Sequence, residues 1–311
     1  MSDKLSFKDK VVVITGAGAG LGKDYALYYG SRGAKVVVND LGTSSSGEGT
    51  THKSADVVVN EIKKNGGEAI SNYDSVEFGE KIIKQTIDKY GRIDILINNA
   101  GILRDKAFKN LDKNDWDLIV KVHLNGAYAC CKAAWPYMVK QKYGRIINVS
   151  SPSGLYGSFG QANYSMAKAG LIGFSKTLAM EGAKYNIFTN VIAPIAATRM
   201  TEKLMAKELL DLMKVEYITP VVAYLTHESC EENGAVYEVA GSWVSKLRVQ
   251  RSEGVFFGPG FTPEKLKEKI DTVNDFSKTC SYFDEDESSL GIVVNNYEKF
   301  KENKTSNNSK F

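Results

Sequence analysis

Tyr164 and Lys168 stand four residues apart in Tyr164-Ser165-Met166-Ala167-Lys168. At the start of a helical pattern, that spacing puts both side chains on one face. An ammonium beside a phenol favours the phenolate, so the Tyr164 pKa is expected to fall from about 10 toward neutrality. A phenolate near neutral pH is a usable general base. Ser151 ends an apolar, strand-like run, where its hydroxyl could hydrogen-bond a substrate oxygen. Asn125, in a long helical stretch, completes the candidate set of four. The Tyr-Lys pair alone also fits an ordinary helix-surface contact. A glycine-rich turn early in the same chain sets it apart.

That turn is Thr15-Gly16-Ala17-Gly18-Ala19-Gly20-Leu21-Gly22. Gly16, Gly20 and Gly22 fit a Gly-x-x-x-Gly-x-Gly pattern between a strand and a helix. Small residues there let the backbone approach a pyrophosphate, which the free N–H groups and dipole of a helix N-terminus favour. Leu21 belongs to the same binding turn. Asp40 closes the second strand, 18 residues after Gly22. Its carboxylate could accept from both adenosine ribose hydroxyls and repel a 2′-phosphate, which predicts NAD over NADP. No lysine or arginine between Asp40 and Thr51 offsets that charge. Asp74, with Ser75 beside it, could accept from the adenine amino group. Asp74 equally fits a helix N-cap with Glu77 three residues on. Asn98, Asn99, Ala100 and Gly101 end the fourth strand. Asn99 could brace the sheet, and Ala100 and Gly101 leave room for the cofactor ribose.

The elements that would hold these residues alternate. Lys10 to Thr15 is a continuous apolar run, as in a strand buried on both faces. Further strands are expected at Lys35 to Asn39, Glu68 to Ser71, Ile93 to Asn98, Gly144 to Val149, Ile187 to Ala193 and Val236 to Val239. Helices are expected at Leu21 to Arg32, Ser54 to Asn65, Val76 to Tyr90, Lys113 to Gln141 with a bend near Gly126, and Tyr164 to Ala183. This predicts an α/β fold, a Rossmann-like, doubly wound parallel sheet covered on both faces. The loops Gly42 to Thr51 and Ala193 to Thr201 leave the carboxyl ends of strands, where ligands bind in such sheets. One domain over 1–241 is expected, with an extension over 242–300, helical after Thr262, and a flexible polar tail over 301–311. No internal repeat is visible.

The 311 residues carry a net charge of +3 with no long basic tract before the tail, which argues against nucleic acid as a partner. No run of 18 apolar residues exists, so no membrane span is expected. The short polar start, Met1 to Asp9, does not read as a secretory signal. Cys130, Cys131, Cys230 and Cys280 read as reduced thiols, with no spacing that suits zinc. His52, His123 and His227 are scattered and suggest no ligand set.

Taken together, these motifs resemble the short-chain dehydrogenase/reductase family over about residues 7 to 241. The resemblance rests on the glycine turn, Asn98-Asn-Ala-Gly101, Asn125, Ser151 thirteen residues before Tyr164, and Lys168. Val38-Asn-Asp-Leu-Gly42, Asn99 to Asp105, Val122-His-Leu-Asn-Gly-Ala127, Ser150 to Gly157 and Phe159-Gly-Gln-Ala-Asn-Tyr164 narrow the likeness. They are similar to the (3R)-hydroxyacyl-CoA dehydrogenase regions of type-2 peroxisomal multifunctional enzymes, fungal ones above all. Arg248 to Phe257 and the stretch after Thr262-Pro-Glu264 extend that likeness. The chain departs from it in three ways. It ends where such enzymes continue into further domains, so no hydratase activity is expected of it. Ile195 stands where Gly commonly follows Pro194. The acidic stretch Asp284 to Ser289 matches no role the resemblance implies.

The resemblance implies that Tyr164 removes a proton from a secondary alcohol while hydride passes to nicotinamide. Ser151 would hold the substrate oxygen, its thirteen-residue offset choosing it over Ser150 and Ser153. Lys168 would also bind the nicotinamide ribose, Thr198 would touch the carboxamide, and Asn125 would hold a water linking Lys168 to solvent. Asn125 could instead be a polar kink residue beside Gly126. The implied activity is NAD-dependent oxidation of (3R)-3-hydroxyacyl-CoA in peroxisomal β-oxidation. Alternatives are a reductase of 3-oxoacyl, steroid or small-ketone substrates, and a non-catalytic assembly partner of a hydratase. Arg104 and Lys106 could meet CoA phosphates, or be solvated loop charges. A homodimer through the helices over Lys113 to Gln141 and Tyr164 to Ala183 is implied. Ser309-Lys310-Phe311 is expected to engage a peroxisomal import receptor.

Overall fold

A computed structural model describes residues 4–49, 51–198 and 210–277, together with 293, 294, 297, 298 and 301. Cys280, the acidic stretch over 284–289, the tail with Ser309 to Phe311, and the end of the loop expected to run to Thr201 lie outside the described residues.

Eight strands form one sheet in the order β3-β2-β1-β4-β5-β6-β7-β8. They are β1 (Val11–Thr15), β2 (Lys35–Asn39), β3 (Glu68–Asn72), β4 (Ile95–Asn98), β5 (Gly144–Val149), β6 (Ile187–Ile195), β7 (Val236–Ala240) and β8 (Trp243–Leu247). The first seven pair in parallel, and β8 adds antiparallel to β7. Every residue of β1, β4 and β5 is buried. Alternate side chains serve opposite faces. Val12, Ile14, Val36 and Ile97 join one core, while Val13, Val37, Leu96 and Ile146 join the other.

Helices α1 (Gly20–Ser31), α2 (Lys53–Lys64), α3 (Gly79–Tyr90), α4 (Lys113–Ile119), α5 (Gly126–Gln141), α6 (Pro152–Tyr156), α7 (Ala162–Gly182) and α8 (Thr219–Thr226) belong to the same unit. On α2 the buried residues are Ala55, Val58, Val59 and Ile62, the i, i+3, i+4, i+7 stripe of a helix lying on a sheet. The chain reverses direction of sheet growth between β1 and β4. This opens a crevice at their carboxyl ends, where ligands bind in such sheets.

The structure departs from the expected elements at several places, the short helices α6 and α8 being two that were not expected. The stretch expected as one bent helix is α4, a π-helical turn over Val120–Asn125, and then α5. Val76–Phe78 is a 3₁₀ turn ahead of α3, with Ser75 rather than Asp74 as its side-chain cap. Strand β6 continues through Pro194 to Ile195, pairing with Val239 and Ala240. Its missing N–H is tolerated at the strand's end. β8 was not expected as a strand. It extends the first compact unit to Leu247, and a second unit begins at Arg248. Within that second unit, α9 (Pro263–Val273) starts at Thr262, whose side chain accepts from Lys265 N–H, with proline in the first turn.

Candidate active site

One cavity of about 500 Å³ occupies the crevice. Following strand order, it runs from Asp40 and Asp74 after β2 and β3, past Gly16, Gly20, Leu21, Ala100 and Gly101, to Ser151, Tyr164, Lys168, Pro194 and Thr198. Of the residues singled out from the sequence, Gly22, Asn98 and Asn125 do not line it, nor do Arg104 and Lys106.

The glycine end is built for an anion. Ala19, the N-cap of α1, brings no side-chain cap, and the first turn carries no acidic residue, which leaves its N–H groups for a ligand. Gly16 has φ +64°, and a Cβ there would lie 2.8 Å from Ala100 Cα. Gly22 serves packing instead, since a Cβ would meet Gly16 O at 2.3 Å. Asp40 Oδ2 accepts from Gly18 N–H at 2.7 Å and Oδ1 from Gly42 N–H at 2.7 Å, so the carboxylate is fixed facing the crevice. Asp74 Oδ2 accepts from Asn72 Nδ2 at 2.9 Å. An elongated cavity with a free helix N-terminus in its middle and a fixed carboxylate at one end fits a nicotinamide dinucleotide.

Asn99 braces the floor, as expected, with Nδ2 donating to Thr15 O at 3.0 Å and Gly16 O at 3.1 Å. Asn98 turns the other way. Successive strand residues face opposite sides, and its amide donates to Asn148 Oδ1 at 2.8 Å and Cys131 Sγ at 3.2 Å, inside the protein.

At the far end, Ser151 is the N-cap of α6, and its Oγ accepts from Ser153 N–H at 3.2 Å. Ser153 Oγ donates to Gln161 Oε1 at 2.8 Å, and Gln161 Nε2 donates to Asp105 Oδ2 at 2.8 Å. This chain of bonds holds the rim beside Tyr164. Of the three neighbouring serines that line the cavity, Ser150 is buried and its hydroxyl is committed to Lys168 O at 2.8 Å.

Lys168 Nζ donates to Val149 O at 2.6 Å and lies 5.5 Å from the Tyr164 ring centroid. The expected fall in the Tyr164 pKa is not what the protein alone produces. Burial pushes Tyr164 up to about 12, against the pull of its bond with Ser151. Burial also brings Lys168 down to about 7. Desolvation penalises the charged form of each, and it outweighs their mutual attraction.

Asn125 ends the π-helical turn and is exposed, pointing away from the crevice. His123, two residues earlier, is buried and lines the cavity instead. Its ring meets the Tyr164 ring edge-on, centroids 5.2 Å apart. Sequence reasoning passed over His123, yet it stands on the buried stripe Ile119, His123, Gly126, Ala127, Cys130 and Ala134. That spacing was a usable signal. The loop after β2 also contributes Thr43, Ser44, Ser45 and Gly47. Arg104 pairs with Glu48 at 3.3 Å and Asp115 at 3.7 Å, and Lys106 with Asp115 at 2.5 Å and Asp112 at 2.9 Å. Both cations are therefore engaged within the protein. No group of described residues could hold a metal ion, and no described helix is long and apolar enough to cross a membrane.

Residues 10–209 match the model of the short chain dehydrogenase family. The chain is 59% identical to the peroxisomal hydratase-dehydrogenase-epimerase of Neurospora crassa, over 89% of this chain and 31% of that enzyme. Among solved structures it is similar to full-length peroxisomal multifunctional enzyme type 2 from Drosophila melanogaster. The TM-score there is 0.79 and the identity 41%, over 96% of this chain and 50% of that one. A short chain dehydrogenase from Mycobacterium avium is similar over 86% of this chain and 95% of that one, at 36% identity and TM-score 0.76. The chain thus spans 31% of the N. crassa enzyme and 50% of the Drosophila one, and nearly all of the shorter M. avium chain.

Proposed function

Because this chain belongs to the short-chain dehydrogenase family, a group of NAD(P)-dependent oxidoreductases, we propose that it oxidises (3R)-3-hydroxyacyl-CoA thioesters to 3-oxoacyl-CoA with NAD in peroxisomal fatty-acid β-oxidation. The observation that carries this reading is a single cavity with Asp40 at one end and Ser151, Tyr164 and Lys168 together at the other. The peroxisomal setting is supported by the names of the N. crassa and Drosophila relatives, and the acyl-CoA substrate by the motif resemblance of Val38 to Gly42, Val122 to Ala127 and Ser150 to Tyr164. NAD over NADP is supported by the Asp40 carboxylate, held where a 2′-phosphate would be repelled.

Nicotinamide, when bound, supplies the hydride acceptor. The chain's own residues handle the proton. Ser151 Oγ holds the substrate oxygen, and the Tyr164 phenolic oxygen takes the hydroxyl proton. With Lys168 at about 7 and Tyr164 at about 12, the pair shares one proton across that interval. It sits on Tyr164 with a neutral amine, or on Lys168 with a phenolate. The second arrangement is the base, and a Ser151 hydrogen bond favours it. General acid–base work of this kind contributes about 10²–10⁴-fold.

The test is steady-state oxidation of a panel of (3R)- and (3S)-hydroxyacyl-CoA thioesters, free 3-hydroxy acids and hydroxysteroids. The (3R) thioesters with NAD should dominate. Turnover of steroids alone, or only with NADP, would reject the reading. Tyr164→Phe should reduce turnover by about 10²-fold or more while dinucleotide binding persists.

A further inference from the structure

Gln161 is the N-cap of α7 and stands three positions before Tyr164. Its side chain makes no capping hydrogen bond, so the amide is left to serve the space beside it. Residues three apart at a helix start lie on one face, and both Gln161 and Tyr164 line the large cavity. Ser153, two residues past Ser151, lines it as well. The proton chemistry uses Ser151 and Tyr164. It leaves a second polar pair beside them, Ser153 and Gln161, without a task.

The orientation of the Gln161 amide follows from its neighbours. A carboxylate oxygen only accepts, so the atom that meets Asp105 Oδ2 at 2.8 Å is Nε2. Oε1 is then turned to Ser153, whose hydroxyl donates to it at 2.8 Å and so spends its proton. An amide nitrogen carries two protons, and Asp105 takes one of them. Among the described residues nothing accepts the other. Nearby donors are committed elsewhere, Lys168 Nζ to Val149 O and Ser150 Oγ to Lys168 O. Ser158 also lines the cavity, but it is exposed and water can serve its hydroxyl. One N–H, held in direction by a carboxylate and a serine, is thus aimed beside the place of the reacting oxygen.

A 3-hydroxyacyl thioester brings a group that matches it. Two carbons from the carbinol carbon stands the thioester carbonyl, whose oxygen only accepts. An isolated secondary alcohol has no such oxygen. We propose that Gln161 donates its second Nε2–H to the thioester carbonyl and is a specificity-determining residue, selecting 3-hydroxy thioesters over isolated secondary alcohols. This rests on the reading of the substrate as a 3-hydroxyacyl thioester.

The test uses the full chain, NAD, a (3R)-3-hydroxyacyl-CoA, and the thioether analogue in which a methylene replaces the thioester carbonyl. In Gln161→Leu, kcat/KM for the thioester should fall about tenfold or more, the scale for an acceptor left without its donor. The thioether should stay within about threefold of wild type, because it has no acceptor to lose one. NAD affinity by fluorescence titration should not change. Equal losses on both substrates would mark a merely structural role and overturn the proposal. So would a folded Gln161→Leu with wild-type kcat/KM on the thioester. Where the thioether turns over too slowly to follow, the acyl-CoA and alkyl-CoA lacking the hydroxyl serve as competitive inhibitors. Wild type should bind the acyl form more tightly, and Gln161→Leu should bring the two inhibition constants together. An unchanged ratio rejects the proposal. If Gln161→Leu does not fold, Gln161→Met decides by the same comparison, since it keeps the unbranched shape and offers no donor. A wild type that oxidises no hydroxyacyl thioester takes down the proposed function and this inference with it. If it oxidises them and Gln161→Leu discriminates as wild type does, this inference alone falls.

Discussion

Burial holds the Lys168 amine near a pKa of about 7, while its Nζ donates to the Val149 carbonyl. Two measurable consequences follow from that one depressed value. Alcohol oxidation needs the one-proton form of the Tyr164–Lys168 pair, so kcat should rise with pH up to about 7 and level off above it. Lys168→Met should abolish that limb with the activity. Stability should respond in the same sense, over a higher pH window. The unfolded lysine, near 10.5, binds a proton that the folded one releases from about 7 upward. Its contribution is therefore present above 10.5 and lost as pH falls through about 7. Lys168→Met should thus be more thermostable than wild type at about pH 6, with the difference shrinking toward pH 10. Thermal unfolding at both ends checks the sign. Asp40 gives a further prediction. Asp40→Ser should bring a tenfold or larger NAD preference toward parity. It should also cost stability, because two charge-assisted bonds to Gly18 and Gly42 N–H are lost, each worth about 1.5–3 kcal/mol. Residue types and spacing made Tyr164, Lys168, Ser151 and Asp40 legible, since each stands at a strand end or helix start. Asn125 misled because Asn-Gly in a long helix looks functional, whereas which side of a helix faces a site is a packing fact. The tyrosine pKa was hidden for a similar reason: proximity of charges can be read from spacing, but desolvation cannot.

Elements decide how closely the chain can pass the dinucleotide. Gly22 lies inside α1, and an added Cβ would stand 2.3 Å from Gly16 O and 2.9 Å from Ala17 Cα, both backbone. Neither neighbour can rotate away. Gly22→Ala should cost about 1–3 kcal/mol as an overpacking change. It should also lower NAD affinity tenfold or more by pushing the turn into the crevice, as titration calorimetry would show. An unchanged affinity would remove Gly22 from the binding machinery. The order of the seven parallel strands was readable because parallel strands buried on both faces, such as Val11 to Thr15, are continuous apolar runs. Two features were not readable. β8, Trp243–Leu247, is an exposed edge strand with no apolar run, formed because β7 offers its free edge. The π-helical turn over Val120–Asn125 leaves no composition signal, and such turns recur at functional sites. Here it lies where His123 enters the cavity wall.

At the scale of the whole molecule, the remaining question is what covers α5 and α7. The small residues of these two helices are differently placed in the fold. Ala127 and Ala134 are buried in the chain's own core, while Ala169, Gly170 and Gly173 stay exposed on α7. Tyr128 and Tyr137 on α5 and Met180 on α7 remain 54%, 39% and 71% exposed. Gly173 has no heavy atom within 4 Å of an added Cβ. A bare glycine in a helix interior costs about 0.5–1 kcal/mol relative to alanine, so its presence fits a backbone that another surface approaches closely. The homodimer expected from the family resemblance would use this face with a two-fold axis, the commonest symmetry for such pairs. Light scattering at micromolar concentration should give twice the chain mass. Gly173→Arg should give a monomer that still binds NAD, since α7 meets the cavity only near its start, at Tyr164 and Lys168. Gly173→Ala separates the two accounts of this glycine. In a monomer, alanine should raise the thermal midpoint by its helix propensity alone. In a dimer packed on Gly173, the same methyl should lower it, and the loss should lessen as protein concentration rises.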